Sequence, residues 1–158
     1  MANKELLQEL GKEFEKTKKA LGFKSSLEEL DKVFFIKDHI LKEGYVSNRL
    51  SRVICRRIVD LFMSWGGYLH SIVMPNPSSM INMTENIVFD DKEKDDLIKL
   101  MNKTLAYSSK NTLIGLNKKK DEEARFIDDS LKFWNRTLEP ELIKIIEKVN
   151  KNWEEKSI

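Results

Sequence analysis

The sequence of residues 47–74, SNRLSRVICRRIVDLFMSWGGYLHSIVM, decides the expected fold. Apolar residues recur at helical spacing from Leu50 to Trp65, which predicts an amphipathic helix. From Leu61 onward nearly every position is apolar, and a helix that is apolar all round must be buried on all sides. We therefore expect helix 3, about residues 47–74, to be either the central helix of a bundle or part of a subunit interface.

Local signals mark the ends and the middle of this helix. Ser47 is the expected N-cap, because its hydroxyl can accept a hydrogen bond from a free amide of the first turn. Pro75 is expected to end the helix. Gly66 and Gly67 in its middle each cost about 1 kcal/mol relative to Ala, so we expect them to permit a kink or a close helix–helix approach.

The first 45 residues predict two further helices. Helix 1 covers residues 3–21 and stops at Gly22, which suits a left-handed helix end. Helix 2 covers residues 26–43 and opens with the capping box Ser26-Leu27-Glu28-Glu29. Gly44 is expected to end it.

The second half of the chain predicts helices over residues 91–116 and 120–155. Residues 108–111 favour helix weakly, which leaves a break there open. Pro140 predicts a break or kink near 137–140, with Thr137 capping the new helix. The connection over 75–90 is too apolar for a free loop, so we expect it to pack across one end of the bundle or along its length. Its apolar residues are Met80, Ile81, Met83, Ile87, Val88 and Phe89.

These patterns predict one all-α domain, residues 1–158, in an up-and-down bundle of about five helices with helix 3 central. The single cysteine, Cys55, indicates a reducing compartment, and the charged start of the chain is unlike a signal peptide. The longest apolar run, Leu61 to Met74, is shorter than the roughly 20 residues of a membrane span. We expect a cytoplasmic protein without a membrane partner.

The apolar residues and the charge distribution of the chain indicate which partners to expect. The run Leu61–Met74 and the tryptophans Trp65, Trp134 and Trp153 supply more apolar surface than a small bundle buries, which favours a homo-oligomer. The formal net charge of +2 comes from residues 46–75, where four Arg and one Asp give +3. Nucleic acid is a disfavoured partner, because its binding faces carry a broad basic stripe.

Four arginines, Arg49, Arg52, Arg56 and Arg57, are the candidate anion-binding residues. Arg49, Arg52 and Arg56 follow a spacing of three and four and share a helix face. Arginine grips phosphate or carboxylate with a rigid donor fork, and the nearby helix start adds partial positive charge. We expect either a phosphate-bearing small molecule at this face or ion pairs to acids of other helices or subunits, with Arg56–Asp60 as an intrahelical pair.

Other chemistry has weaker signals. Cys55 lies among cations that favour a reactive thiolate, although its helical neighbours are apolar. One cysteine with His39 and His70 does not supply a zinc set, and we expect no metal and no cofactor. His70 is expected in the buried half of helix 3, bonded to a partner.

Acidic residues raise one further alternative. Glu28, Glu29, Asp31, Asp38 and Glu43, with a second set at Asp91, Glu93, Asp95 and Asp96, resemble the acidic pairs of helical magnesium-dependent pyrophosphatases. The second set also suits the start of a helix. The run Lys118-Lys119-Lys120 followed by Asp121-Glu122-Glu123 predicts a solvated turn and helix start.

Residues 51–57, SRVICRR, resemble the arginine-x-x-cysteine-arginine-arginine helix of the ATP:cobalamin adenosyltransferases that form trimeric helical bundles. This resemblance implies that Arg52, Arg56 and Arg57 help to hold ATP phosphates and to stabilise the subunit. That family has Ala-Glu where this chain has Ile58-Val59, and its N-terminal phosphate loop of Thr, Gly and Asp is missing here. As a whole the chain resembles small archaeal all-helical proteins rich in Lys, Ile and Glu.

Two functions follow as expectations. The first is a non-enzymatic helical assembly or binding protein that forms homo-oligomers. The alternative is a nucleotide- or phosphate-binding enzyme that uses the helix face from Arg49 to Arg57.

Overall fold

The computed structural model describes residues 2–158, in which every regular element is helical. The α-helices are α1 (Ala2–Leu21), α2 (Leu27–Phe34), α3 (Ile36–Glu43), α4 (Leu50–Val73), α5 (Met80–Asn86), α6 (Asp91–Asn117), α7 (Lys120–Phe133) and α8 (Glu139–Lys156). A π-helical segment, Trp134–Leu138, joins α7 to α8, so the described residues form seven separate helices. The predicted all-α class is confirmed, and the predicted number of about five helices is wrong.

One additional helix arises because the predicted helix 26–43 breaks at Phe35. Phe35 has φ 55°, in the left-handed region, which costs a residue with a side chain about 1–2 kcal/mol. The break allows Phe34 and Ile36 both to be buried, whereas positions two apart on a straight helix point to different sides. The Asp31 carboxylate accepts a hydrogen bond from the Lys37 amide at 2.7 Å and so fixes the turn.

The expected end signals of helices 1 and 2 are present. Gly22 and Gly44 both have positive φ values, of 83° and 84°. Ser26 and Glu29 form the predicted capping box, in which each side chain accepts a hydrogen bond from the other residue's amide at 3.1 Å. Short-range signals therefore predicted these boundaries correctly.

The second half of the chain departs from regular α-helix near Pro140 but not at residues 108–111. Helix α6 continues through residues 108–111, where Asn111 is buried against neighbouring helices. The expected break or kink near 137–140 takes the form of the π-helical segment Trp134–Leu138, after which the Glu139 amide donates to the Trp134 carbonyl. This local widening places Pro140 in the first turn of α8 without an interruption, and Thr137 does not cap that helix.

Helix α4 corresponds to the expected helix 3, but its first residue and its burial differ from the prediction. It begins at Leu50, and the Ser47 hydroxyl accepts a hydrogen bond from the Arg49 amide, so Ser47 stabilises the preceding turn. Burial on all sides from Leu61 to Met74 is wrong for the single chain. Phe62, Leu69 and Ile72 are buried along one face, whereas Met63, His70 and Met74 are exposed.

The chain divides into two compact units, with one boundary between Leu61 and Phe62. Unit 1 comprises residues 2–61 and 109–132. Its core draws on all its helices and contains Leu10, Phe14, Leu30, Phe34, Ile36, Ile40, Leu50, Ile54, Ile58, Ile114, Phe126 and Ile127. The Asp128 carboxylate accepts hydrogen bonds from the amides of Lys24 and Ser25 and from the Ser25 hydroxyl, at 2.6–3.1 Å. These bonds hold the segment between α1 and α2 against α7.

Unit 2 comprises residues 62–108 and 133–158. The Phe62 ring centroid lies 5.1 Å from that of Tyr107 and 5.7 Å from that of Phe133. A β-carbon on Gly66 would overlap the side chain of Leu105, so Gly66 permits the predicted close approach of another helix.

The connection over residues 75–90 contains α5, which belongs to unit 2. The side-chain amide of Asn86 donates to the Ile72 carbonyl at 2.6 Å, and the Trp153 indole donates to the buried Glu85 carboxylate at 3.0 Å. Burial and the adjacent Glu85 raise the pKa of Tyr68 to about 12. These contacts tie α5 to α4 and α8.

No helix within residues 2–158 combines the length and the apolar character needed to cross a membrane.

Candidate anion-binding site

A cavity of about 670 Å³ lies within unit 1. Its walls come from α1, the start of α4, the end of α6 and the start of α7. The charged residues that line it are Lys16, Arg49, Arg52, Lys118 and Lys120, together with Glu13 and Glu123. Five cations against two acids give the lining an excess of positive charge, which favours an anionic occupant.

Arg49 and Arg52 enter the cavity wall from the start of α4. Arg49 precedes the first residue of the helix and is exposed. Arg52 is half-buried, and its Nη2 donates to the Asn111 carbonyl at 3.4 Å. Its Nη1 is shielded from solvent and makes no hydrogen bond. Arg52 therefore holds a buried donor that the folded chain leaves unsatisfied.

The start of α4 forms part of the same wall. Asn48, Leu50 and Ser51 line the cavity beside the two arginines. The first amides of a helix have no intrahelical acceptor, and the helix dipole places partial positive charge there. Phosphate groups are commonly bound at such helix starts.

Arg56 and Arg57 do not line this cavity. Arg56 pairs with Asp60 at 3.3 Å, which confirms the expected intrahelical pair. Arg57 pairs with Asp60 at 3.4 Å and donates to the Phe34 carbonyl. The four candidate arginines therefore divide into two that face the cavity and two that pair within the fold.

Glu123 is the buried acid of the cavity lining. Only 7% of its surface is exposed, and its Oε2 makes no hydrogen bond. In the described chain no ion pair joins Glu123 to a lining cation such as Arg52. Arg52 and Glu123 thus both line the cavity, and each has a buried polar atom without a hydrogen-bond partner.

Sequence reasoning did not identify several of these residues. Lys16 and Thr17 lie on α1, and no local pattern distinguishes them from the other polar residues of that helix. Lys118 and Lys120 belong to the predicted turn; in the structure Lys118 follows α6 directly and Lys120 is the first residue of α7. The run of three lysines was the available signal, but only the fold shows which of them face the cavity.

Other candidate chemistry is absent from the described residues or altered in the fold. Cys55 is fully buried, and its burial raises the pKa of the thiol to about 12 despite the opposing charge of Arg52. These properties favour a buried apolar cysteine over the alternative of a reactive thiolate. His70 is exposed, contrary to its expected burial. Within residues 2–158 no three His, Cys, Asp or Glu side chains group together as metal ligands.

No protein-family model, curated protein or solved structure matches the chain. The segment that resembles the adenosyltransferase helix, residues 51–57, contributes three arginines. Of these, Arg52 lines the cavity, and Arg56 and Arg57 contact Asp60.

Proposed function

We propose that the protein binds a phosphate-bearing small molecule in the cavity lined by Arg49 and Arg52. The unsatisfied Nη1 of Arg52 is the observation that carries this proposal. A buried donor without a partner costs about 1–3 kcal/mol, and a bound anion would remove that cost. The proposal concerns binding and does not require catalysis.

Phosphate matches the chemistry of the lining better than a neutral ligand does. Arg52 can offer a charge-assisted hydrogen bond, and a guanidinium fits the oxygen geometry of phosphate. Lys118 and Lys120 add charge, and the start of α4 adds the partial positive charge of a helix N-terminus. A volume of about 670 Å³ lies within the range of small-molecule pockets, roughly 300–1,000 Å³.

Thermal unfolding in the presence of inorganic phosphate, pyrophosphate or adenosine diphosphate tests the proposal. A ligand that binds only the folded state raises the melting temperature, and the stabilisation grows with the logarithm of one plus the ratio of the free ligand concentration to Kd. Sodium chloride at equal ionic strength is the control for screening. The proposal predicts a rise with at least one phosphate compound and no matching rise with chloride, and no rise with any of the three would contradict it.

A second candidate function, self-assembly, is supported by apolar side chains around α5. Met74, Met80, Ile81 and Ile87 are each more than 60% exposed. Exposed apolar groups at such density mark interaction surfaces in many proteins. A second copy of the chain would cover them in a homo-oligomer.

Light scattering of the wild type and of an Ile81→Glu variant at micromolar concentration tests this second candidate. The wild type should have the mass of an oligomer, and the variant should shift toward the monomer because the new charge would be buried in the interface. A monomeric wild type would reject self-assembly.

A further inference from the structure

We infer that the bound molecule carries an amine beside its phosphate, and that Glu123 recognises this amine. The inference rests on the proposed phosphate binding and specifies the class of ligand. A zwitterionic phosphate monoester, such as a phosphorylated amino alcohol, has both groups.

The first observation is the state of the Glu123 carboxylate. It is nine-tenths buried, it lines the cavity, and Oε2 has no hydrogen-bond partner. Buried carboxylates in folded proteins are normally paired or hydrogen-bonded, because loss of water is otherwise uncompensated. An N–H donor from a ligand would supply the partner.

Helix capping does not account for this carboxylate. Glu123 lies in the first turn of α7, where acids often stabilise the helix start. However, a capping carboxylate accepts hydrogen bonds from backbone amides, and Oε2 accepts none. The position of Glu123 therefore indicates a role other than capping.

The second observation is that opposite charges share the lining without pairing. Arg52 Nη1 and Glu123 Oε2 are both buried and both unsatisfied. A simple phosphate would satisfy the guanidinium but would be repelled by the carboxylate. A phosphate that carries an ammonium group satisfies both and turns the repulsion into attraction.

Little movement is needed for Glu123 to reach a ligand. The terminal torsion of a glutamate side chain is soft, so the carboxylate can turn toward a ligand at little energetic cost. Either oxygen can then face the cavity. The ligand donor needs to reach only one of them.

Calorimetric titration with O-phosphoethanolamine and with propyl phosphate tests the inference. The two esters are similar in size, and only the first has an amine. We expect the wild type to bind the amine ester at least about tenfold more tightly, a difference typical of a hydrogen bond to a charged group. Glu123→Gln should reduce this preference to about twofold, with tighter binding of propyl phosphate because the repulsion is lost.

Glu122→Gln is the matched control, because Glu122 is adjacent to Glu123 in the sequence but does not line the cavity. Its Oε1 lies 4.0 Å from Lys119 Nζ. It should keep the wild-type preference. Equal binding of both esters by the wild type, or a preference retained in Glu123→Gln, would overturn the inference while phosphate binding stood. Failure of both esters and of inorganic phosphate to bind would overturn the proposed function as well.

Discussion

Gly115 lies directly beside the guanidinium of Arg52. A β-carbon at residue 115 would be 3.1 Å from Arg52 Nη2 and 3.7 Å from Cζ, closer to Nη2 than most β-carbon contacts. The glycine thus leaves room for Arg52 to reach the Asn111 carbonyl and the cavity wall. A substitution of Gly115 can therefore change ligand binding without a loss of stability.

Gly115→Ala should weaken phosphate binding without loss of stability. The added methyl group displaces the Arg52 guanidinium, whereas alanine in a helix is more stable than glycine by about 0.5–1 kcal/mol. Binding is measured by calorimetry and stability by urea unfolding. Gly11→Ala is the control, because a β-carbon there meets nothing within 4 Å. Unchanged binding in Gly115→Ala would argue against the position assigned to Arg52.

Asp128→Ala should destabilise the protein by about 2–4 kcal/mol. The change removes the acceptor of the hydrogen bonds from Lys24 and Ser25, and a hydrogen bond to a charged group contributes about 1.5–3 kcal/mol net. Urea unfolding gives the free energy. The exposed neighbour Asp129 provides the control, since Asp129→Ala should change stability by less than about 0.5 kcal/mol. Equal effects of the two substitutions would contradict the role of Asp128.

Glu93 should contribute a pH-dependent part of the stability. Lys148 and the Asp90 amide both donate hydrogen bonds to the Glu93 carboxylate, and these bonds hold its pKa below the ordinary value of 4.5. A lowered folded-state pKa means that the contribution is complete above the ordinary value and is lost as the pH falls through the folded value.

Glu93→Gln isolates this contribution, because glutamine keeps the shape of the capping box with Asp90 and removes the charge. The difference in urea midpoint between the wild type and Glu93→Gln should be present at pH 7 and should shrink below pH 4.5. A difference that stays constant down to strongly acidic pH would rule out the titration of Glu93 as its source.

Cys55 should be unreactive in the folded protein. Burial raises the pKa of its thiol to about 12, and the thiol is inaccessible to reagents. Reaction with a disulfide reagent such as Ellman's reagent at pH 8 should be more than about a hundredfold slower than in guanidinium chloride, since only the thiolate reacts. Similar rates in both conditions would show that Cys55 is accessible and activated.

Much of the fold could be predicted from local signals. Gly22, Gly44 and the Ser26–Glu29 capping box act within a few residues, so their effects are visible in the sequence. The break at Phe35 was not predictable in this way. A phenylalanine in the left-handed region is unfavourable by itself, and it is stable here because Phe34 and Ile36 are both buried.

Local spacing also predicted part of the candidate site, whereas the rest depends on tertiary packing. The spacing of Arg49, Arg52 and Arg56 predicts a shared face, but side-chain surroundings divide them: Asn111 accepts from Arg52, and Asp60 pairs with Arg56. Glu123 and Arg52 are 71 positions apart in the sequence. Only tertiary packing brings such residues to one cavity.

Calorimetric titration of pyrophosphate into the wild type, Arg52→Met and Arg56→Met tests the central claim most directly. Each variant loses one guanidinium of the same helix, but only Arg52 lines the cavity. Circular dichroism confirms folding, and Arg52→Lys tests whether charge without the donor fork is sufficient. We predict that Arg52→Met weakens binding by at least about tenfold, Arg52→Lys restores part of it, and Arg56→Met stays within about twofold of the wild type. Wild-type binding by folded Arg52→Met, or an equal loss in Arg56→Met, would contradict the account.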